Sequence, residues 1–183
     1  MLKVAVVGLR GIGNRHARCY HENEKTDLVA VCDLVEPLAD EAAEKYGCPQ
    51  YSSLQAVLDA HPKVDVIDVS TGGDENGSWH FEPTMEALEA GKHVLVEKPI
   101  SNDIGEAREM VQLATERNLY LGCNLNHYFS QPADKAREWI GSGRIGEQIY
   151  CLHRMGFAGG EYSYDGPAGG NLGGYPYAHV KAF

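Results

Sequence analysis

From Leu2 to Gly122 the chain alternates between short apolar runs and stretches of helical spacing. The runs are Leu2–Val7 (LKVAVV), Leu28–Cys32 (LVAVC), Val64–Val69 (VDVIDV), His93–Val96 (HVLV) and Leu119–Gly122. Between them lie Gly13–Glu22, then Pro37–Tyr46 with Leu38, Ala42 and Tyr46 on one side. A short helix ends at Ala60, capped by Ser52 or Ser53. Pro83–Ala90 follows, with Gly91 just past its end, and then the long amphipathic stretch Asp103–Arg117. Strands that are apolar throughout need cover on both faces. Alternated with helices, they predict an α/β fold built on a parallel sheet.

The pattern changes near Cys123. Pro132–Ile140 reads as a helix ended by Gly141-Ser142-Gly143, and Gln148–Arg154 as a strand opening a second, antiparallel sheet. Residues 156–174 (GFAGGEYSYDGPAGGNLGG) read as a long loop over a site. The expected division is residues 1–123 and residues 124–183.

Composition narrows the function classes. A hydrophobic fraction of 43% over 183 residues is enough for a sizeable core. Twenty-six acids against 16 bases give a net charge of −10, which repels phosphate backbones and argues against nucleic acid. No apolar run nears the roughly 18 residues of a membrane span. Met1-Leu2-Lys3 leads straight into a strand without a signal-peptide pattern, so a cytoplasmic protein is expected. Cys19, Cys32, Cys48, Cys123 and Cys151 are widely spaced and form no C-x-x-C, as expected of reduced thiols. Neither they nor the eight histidines show zinc-ligand spacing, and no metal is expected.

The stretch VVGLRGIGNRH, Val6 to His16, joins the first strand to the first helix. Gly8, Gly11 and Gly13 there would let backbone N–H groups approach a pyrophosphate, with the helix N-terminus favouring its charge. Such a turn also occurs where nothing binds and glycine only supplies positive φ. Asp33 ends the second strand 25 residues after Gly8, where an acid can bind the adenosine ribose hydroxyls. A carboxylate there repels a 2′-phosphate and favours NAD over NADP; its plainer role is to cap the loop before Pro37. The spacing is G-x-x-G-x-G, with Arg10 in the place of the middle glycine.

ALEAGKHVLVEKPIS, Ala87 to Ser101, puts Glu97-Lys98-Pro99 at the carboxyl end of a strand, where an open α/β sheet places its ligand. With GLRGIG at Gly8–Gly13, Asp33, VDVIDVST at Val64–Thr71, NGSWHFEPTMEALEAGKHVLVEKPIS at Asn76–Ser101, NLNHYF at Asn124–Phe129 and GRIGE at Gly143–Glu147, the chain resembles the Gfo/Idh/MocA family of oxidoreductases. The resemblance covers residues 1–154. It implies a Rossmann doubly wound parallel sheet, followed by the beginning of an α+β substrate domain that in full-length relatives often forms a homo-oligomer face. It also implies hydride transfer between a nicotinamide and a hydroxyl-bearing carbon of a sugar, cyclitol or related polyol.

By resemblance Gly8, Arg10, Gly11, Ile12 and Gly13 form the pyrophosphate turn. Thr71 and His80 lie along the nicotinamide side. Glu97 and Lys98 meet the nicotinamide ribose, and Lys98–Pro99 is a candidate cis peptide. Lys98 also reaches the substrate hydroxyl, where an ammonium stabilises negative charge developing on oxygen while a base collects the proton. The alternative for Lys98 is a surface lysine in a turn. Relatives carry an Asp and, four positions on, an acid/base His; in GGNLGGYPYAHVKAF these positions hold Tyr175 and His179. A tyrosine supplies no negative charge at neutral pH. His179 is the candidate base, set against a plain surface histidine, with Tyr175 and Tyr177 as further proton carriers. Tyr128 stands where some relatives have arginine. Family members are much longer, so the second domain is expected to be incomplete here. A dinucleotide-binding module without catalysis is the alternative function.

Overall fold

The computed structural model describes residues 1–72 and 79–150. Six strands and six α-helices are described: β1 (Leu2–Val7), α1 (Gly11–Glu22), β2 (Thr26–Cys32), α2 (Glu36–Tyr46), β3 (Gln50–Tyr51), α3 (Leu54–Ala60), β4 (Val66–Val69), α4 (Phe81–Glu89), β5 (His93–Val96), α5 (Ile104–Glu116), β6 (Leu121–Cys123) and α6 (Gln131–Gly141). The strands form one sheet in the order β3-β2-β1-β4-β5-β6, with every pair parallel. This is the Rossmann order, with its switch point between β1 and β4.

Both faces are covered, because neighbouring side chains on a strand point opposite ways. Ala5 and Val7 of β1 face a core with Ile67, Val69, Val94 and Val96, closed by Leu54 and Val57 of α3, Ala87 and Leu88 of α4 and Ala114 of α5. Val6 and Val31 face the other way, onto Ala17 of α1 and Ala39, Ala42 and Tyr46 of α2.

The elements follow the sequence pattern, with local differences. α1 begins at Gly11 rather than Gly13. α4 begins at Phe81, ahead of Pro83, because a proline in the first turn removes only an N–H that lacks a helical partner anyway. Ser53 is the cap of α3: its side chain accepts the Ala56 N–H at 3.2 Å. Asp103 does the same for α5, accepting the Glu106 N–H at 3.0 Å. β3 was not legible in the sequence. Residues 148–150, the start of the expected strand, carry no strand pairing, and among the described residues no neighbouring strand lies there to pair with.

Met1–Asn124 form one compact unit, and a second begins at Leu125. In the second unit a 3-10 turn, Asn126–Phe129, precedes α6. The Arg137 guanidinium lies 4.0 Å from the Tyr128 ring centroid and donates to the Tyr128 carbonyl at 2.8 Å.

Candidate active site

The strand registers align the chain ends. Val7 pairs with Cys32 and Val69, Val69 with Val96, and Val96 with Cys123. The next residue on each strand is Gly8, Asp33, Ser70, Glu97 or Asn124. These five make a row along the carboxyl edge of the sheet, and backbone bonds hold it. Gly8 N–H donates to the Cys32 carbonyl at 2.8 Å, Ser70 to Val7 at 2.7 Å, Glu97 to Val69 at 2.9 Å and Asn124 to Val96 at 2.8 Å.

At the centre of the row the glycine turn is packed to its limit. Gly8 has φ +92°, and a Cβ there would lie 2.6 Å from the Ser70 carbonyl oxygen. A Cβ on Gly13 would lie 1.7 Å from the Gly8 carbonyl oxygen, so α1 sits directly on the turn. Gly11 has no neighbour within 4 Å of such an atom. Arg10 is the N-cap of α1 with φ −67° and ψ 173°, an extended backbone open to any residue. Its side chain is exposed, as is Ile12. α1 opens with no side-chain cap and no acidic residue in its first turn. A helix start of that kind, beside a turn with no Cβ at Gly8, Gly11 or Gly13, fits a pyrophosphate.

Asp33 braces this turn. One carboxylate oxygen accepts the Leu9 N–H at 2.7 Å and the other accepts the Val35 N–H at 2.8 Å. Each oxygen keeps a further lone pair for a ligand hydroxyl. The geometry thus shows Asp33 capping the loop and lying next to the turn.

Across the switch point lies a polar network that the sequence reading did not single out. Asp68 sits in the middle of β4 with 0% exposure. It accepts the Tyr20 hydroxyl at 2.7 Å and the Ser70 hydroxyl at 2.6 Å, and His16 Nδ1 lies 3.0 and 3.1 Å from its two oxygens. His16 Nε2 lies 3.4 Å from Glu97 Oε1, which also accepts the Asn124 amide at 2.5 Å. Glu97 Oε2 accepts the Lys98 N–H at 3.0 Å. Burial by itself lowers the His16 pKa; the hydrogen bonds and charges of Asp68 and Glu97 overcome it and raise it to about 10. Burial pushes the Glu97 carboxyl up, but bonds from His16, Asn124 and the Lys98 N–H outweigh that and hold it below its ordinary value. Burial, then the Asp68 charge, raises the Tyr20 phenol. One signal for this network was present in the sequence: Asp68 is a charge inside an otherwise apolar strand end, and a buried carboxylate needs donors.

The remaining residues expected at the site lie on the β4 and β5 loops. Lys98 is exposed, and the Lys98–Pro99 bond is cis. His80 is 2% exposed. Its Nδ1 is 2.7 Å from the Pro99 carbonyl oxygen and its Nε2 is 2.9 Å from that of Thr71. His80 thus joins the two loops and turns no ring nitrogen to solvent. The Thr71 hydroxyl donates to the Trp79 carbonyl at 2.7 Å. Tyr175, Tyr177 and His179 lie outside the described residues, as do Cys151 and the loop 156–174. Among the described residues no group of three His, Cys, Asp or Glu is placed to hold a metal ion, and no helix is long and apolar enough to cross a membrane.

The NAD-binding Rossmann-fold model of the Gfo/Idh/MocA oxidoreductase family matches residues 2–125. The chain belongs to the Gfo/Idh/MocA family. This Gfo/Idh/MocA chain is 36% identical over 165 residues to D-glucoside 3-dehydrogenase of Escherichia coli (strain K12), covering 86% of the chain and 45% of that protein. The crystal structure of myo-inositol 2-dehydrogenase from Lactobacillus plantarum is similar at a TM-score of 0.72 and 27% identity, over 81% of this chain and 43% of that one. Scyllo-inositol dehydrogenase from Lactobacillus casei, solved with NAD(H) and scyllo-inositol, is similar at 0.70 and 25% identity, over 80% and 43%. The chain spans less than half the length of each of these relatives.

Proposed function

We propose that this chain is the nucleotide-binding part of an NAD(H)-dependent oxidoreductase. The reaction is hydride transfer to or from a hydroxyl-bearing carbon of a sugar, cyclitol or related polyol. One observation carries the reading: a turn with no room for a Cβ at Gly8 or Gly13 stands in the same row as Asp33 and Glu97-Lys98-Pro99. The names of the relatives, which act on a glucoside and on inositols, support the substrate class.

In this reading Gly8, Arg10, Gly11, Ile12 and Gly13 hold the pyrophosphate through backbone N–H groups and the α1 N-terminus. Asp33 offers its free lone pairs to the adenosine ribose, and its charge favours NAD over NADP. Thr71 flanks the nicotinamide side. His80 serves that side from behind, by holding the Thr71 and Pro99 carbonyls in place. Glu97 and Lys98 meet the nicotinamide ribose. Bound there, the nicotinamide supplies the hydride acceptor or donor. The Lys98 ammonium, at the substrate oxygen, stabilises negative charge as the hydroxyl proton leaves. His179, with Tyr175, is the proposed proton carrier. The protein is read as cytoplasmic, and a full-length relative as a homo-oligomer.

Calorimetric titration of the chain with NADH and then NADPH tests the reading. Saturable binding that prefers NADH is the expected result. A folded chain that binds neither ends the reading.

A further inference from the structure

Among the described residues His16 is the one side chain that reaches both buried carboxylates of the sheet edge. It projects from α1 onto Asp68 of β4 and Glu97 after β5, and its Nε2 lies 3.1 Å from the Asn124 amide nitrogen after β6. Three strand ends and one helix therefore meet at a single ring. Such a group does more than fill space. Asp68 and Glu97 are 0% and 6% exposed. Two buried carboxylates need donors to stay charged, and a cation between them offsets their mutual repulsion.

We propose that His16 is a positioning residue for the nucleotide site: its ring ties Glu97 to Asp68, and so fixes where Glu97 presents its remaining acceptor to a ligand. That acceptor is on Oε2. Oε1 already takes the Asn124 amide and faces His16, while among the described residues Oε2 takes only the Lys98 N–H and keeps a lone pair. A cationic His16 and the Asn124 amide both donate to Oε1; with a neutral ring, Asn124 donates to Nε2. The proposal rests on the reading of this edge as an NAD(H) site, with Glu97 against the nicotinamide ribose.

The other groups facing this pair are few. Tyr20, on α1 beside His16, donates to Asp68. Cys123 on β6 feels the Glu97 and Lys98 charges, and burial followed by Glu97 raises its thiol pKa. Without His16, Glu97 loses one of its donors and a neighbouring positive charge, so its carboxyl takes up a proton at higher pH. A role in packing alone would not shift that titration.

The test uses the full chain as wild type, His16→Gln, Glu97→Gln and the double variant, titrated with NADH from about pH 6 to about pH 9. Loss of a charge-assisted bond predicts NADH binding about 10-fold weaker in His16→Gln. The double variant should match Glu97→Gln, with no added loss and no pH dependence from this pair. A His16→Gln loss that adds in full to that of Glu97→Gln overturns the proposal. Carboxyl-carbon NMR of the ligand-free protein separates this from the parent reading. The Glu97 midpoint should rise by about one unit or more in His16→Gln even if no chain binds NADH. An unchanged midpoint overturns the tie, whatever the cofactor. If His16→Gln does not fold, the wild-type Glu97 signal should follow the titration of His16. An indifferent signal again overturns it.

Discussion

Asp33 donates nothing and accepts twice: from the Leu9 N–H at 2.7 Å and from the Val35 N–H at 2.8 Å. The same carboxylate shapes the glycine turn and, in the proposed function, selects the nucleotide. In that reading, turn geometry and cofactor preference are coupled through one side chain.

Asp33→Ala should weaken NADH binding by about 10-fold or more while weakening NADPH less, narrowing the preference. It should also cost roughly 1–3 kcal/mol in stability, because two backbone N–H groups lose their acceptor. Calorimetry with both nucleotides and urea denaturation read the two effects. An unchanged NADH to NADPH ratio would take Asp33 out of the ribose site and leave it as a brace.

Gly11→Ala and Gly13→Ala should behave as opposites. The added methyl at Gly13 meets the Gly8 carbonyl, so α1 must lift off the turn, a loss of about 3 kcal/mol or more. At Gly11 the methyl meets open space in a helical residue, and stability should stay within about 1 kcal/mol, on the favourable side. Equal destabilisation of the two in chemical denaturation would show that α1 is not seated as described.

His80→Ala should act on the fold before it acts on the ligand. It removes the ring that sits between the Thr71 and Pro99 carbonyls, takes away a hydrogen-bond donor and opens a cavity, costing roughly 2–4 kcal/mol. Thermal unfolding of the ligand-free protein should report most of the effect. Full stability with abolished NADH binding would make His80 a direct ligand contact instead.

His16 and Glu97 predict opposite pH trends in stability. The folded-state pKa of His16 is raised from 6.5 to about 10, so its contribution is complete below about pH 6.5 and disappears as pH rises to about 10. Glu97 is lowered from 4.5, so its contribution is present above that value and is lost as pH falls through the folded pKa. The difference in unfolding free energy between wild type and His16→Gln should therefore shrink steadily from neutral to alkaline pH. A difference that is flat across that range would mean that His16 is not held as a cation.

The alternation of apolar strands and amphipathic helices was legible because each element depends mainly on near neighbours. Val4, Val6 and Val7 are apolar side by side, and Leu38, Ala42 and Tyr46 recur at helical spacing, whatever the rest of the chain does. The placing of the glycine turn, Asp33 and Glu97-Lys98-Pro99 at strand ends was legible for the same reason, since each directly follows an apolar run. β3 was not, since Gln50 and Tyr51 carry no apolar period. They become a strand by pairing with Val31 and Cys32. Nor did the sequence reveal that His80 turns inward to join two carbonyls, because a histidine beside a motif reads equally as a contact or a clamp.

The His16 network lies furthest from any local pattern. His16 and Asp68 are 52 residues apart in sequence, and His16 and Asn124 are 108 apart. Their meeting requires the register that places Val7, Val69, Val96 and Cys123 side by side and the seating of α1 on Gly8. Periodicity and motif spacing express where each side chain points along its own element. Which carboxylates share one imidazole is set by packing between elements, and that depends on the whole sheet at once.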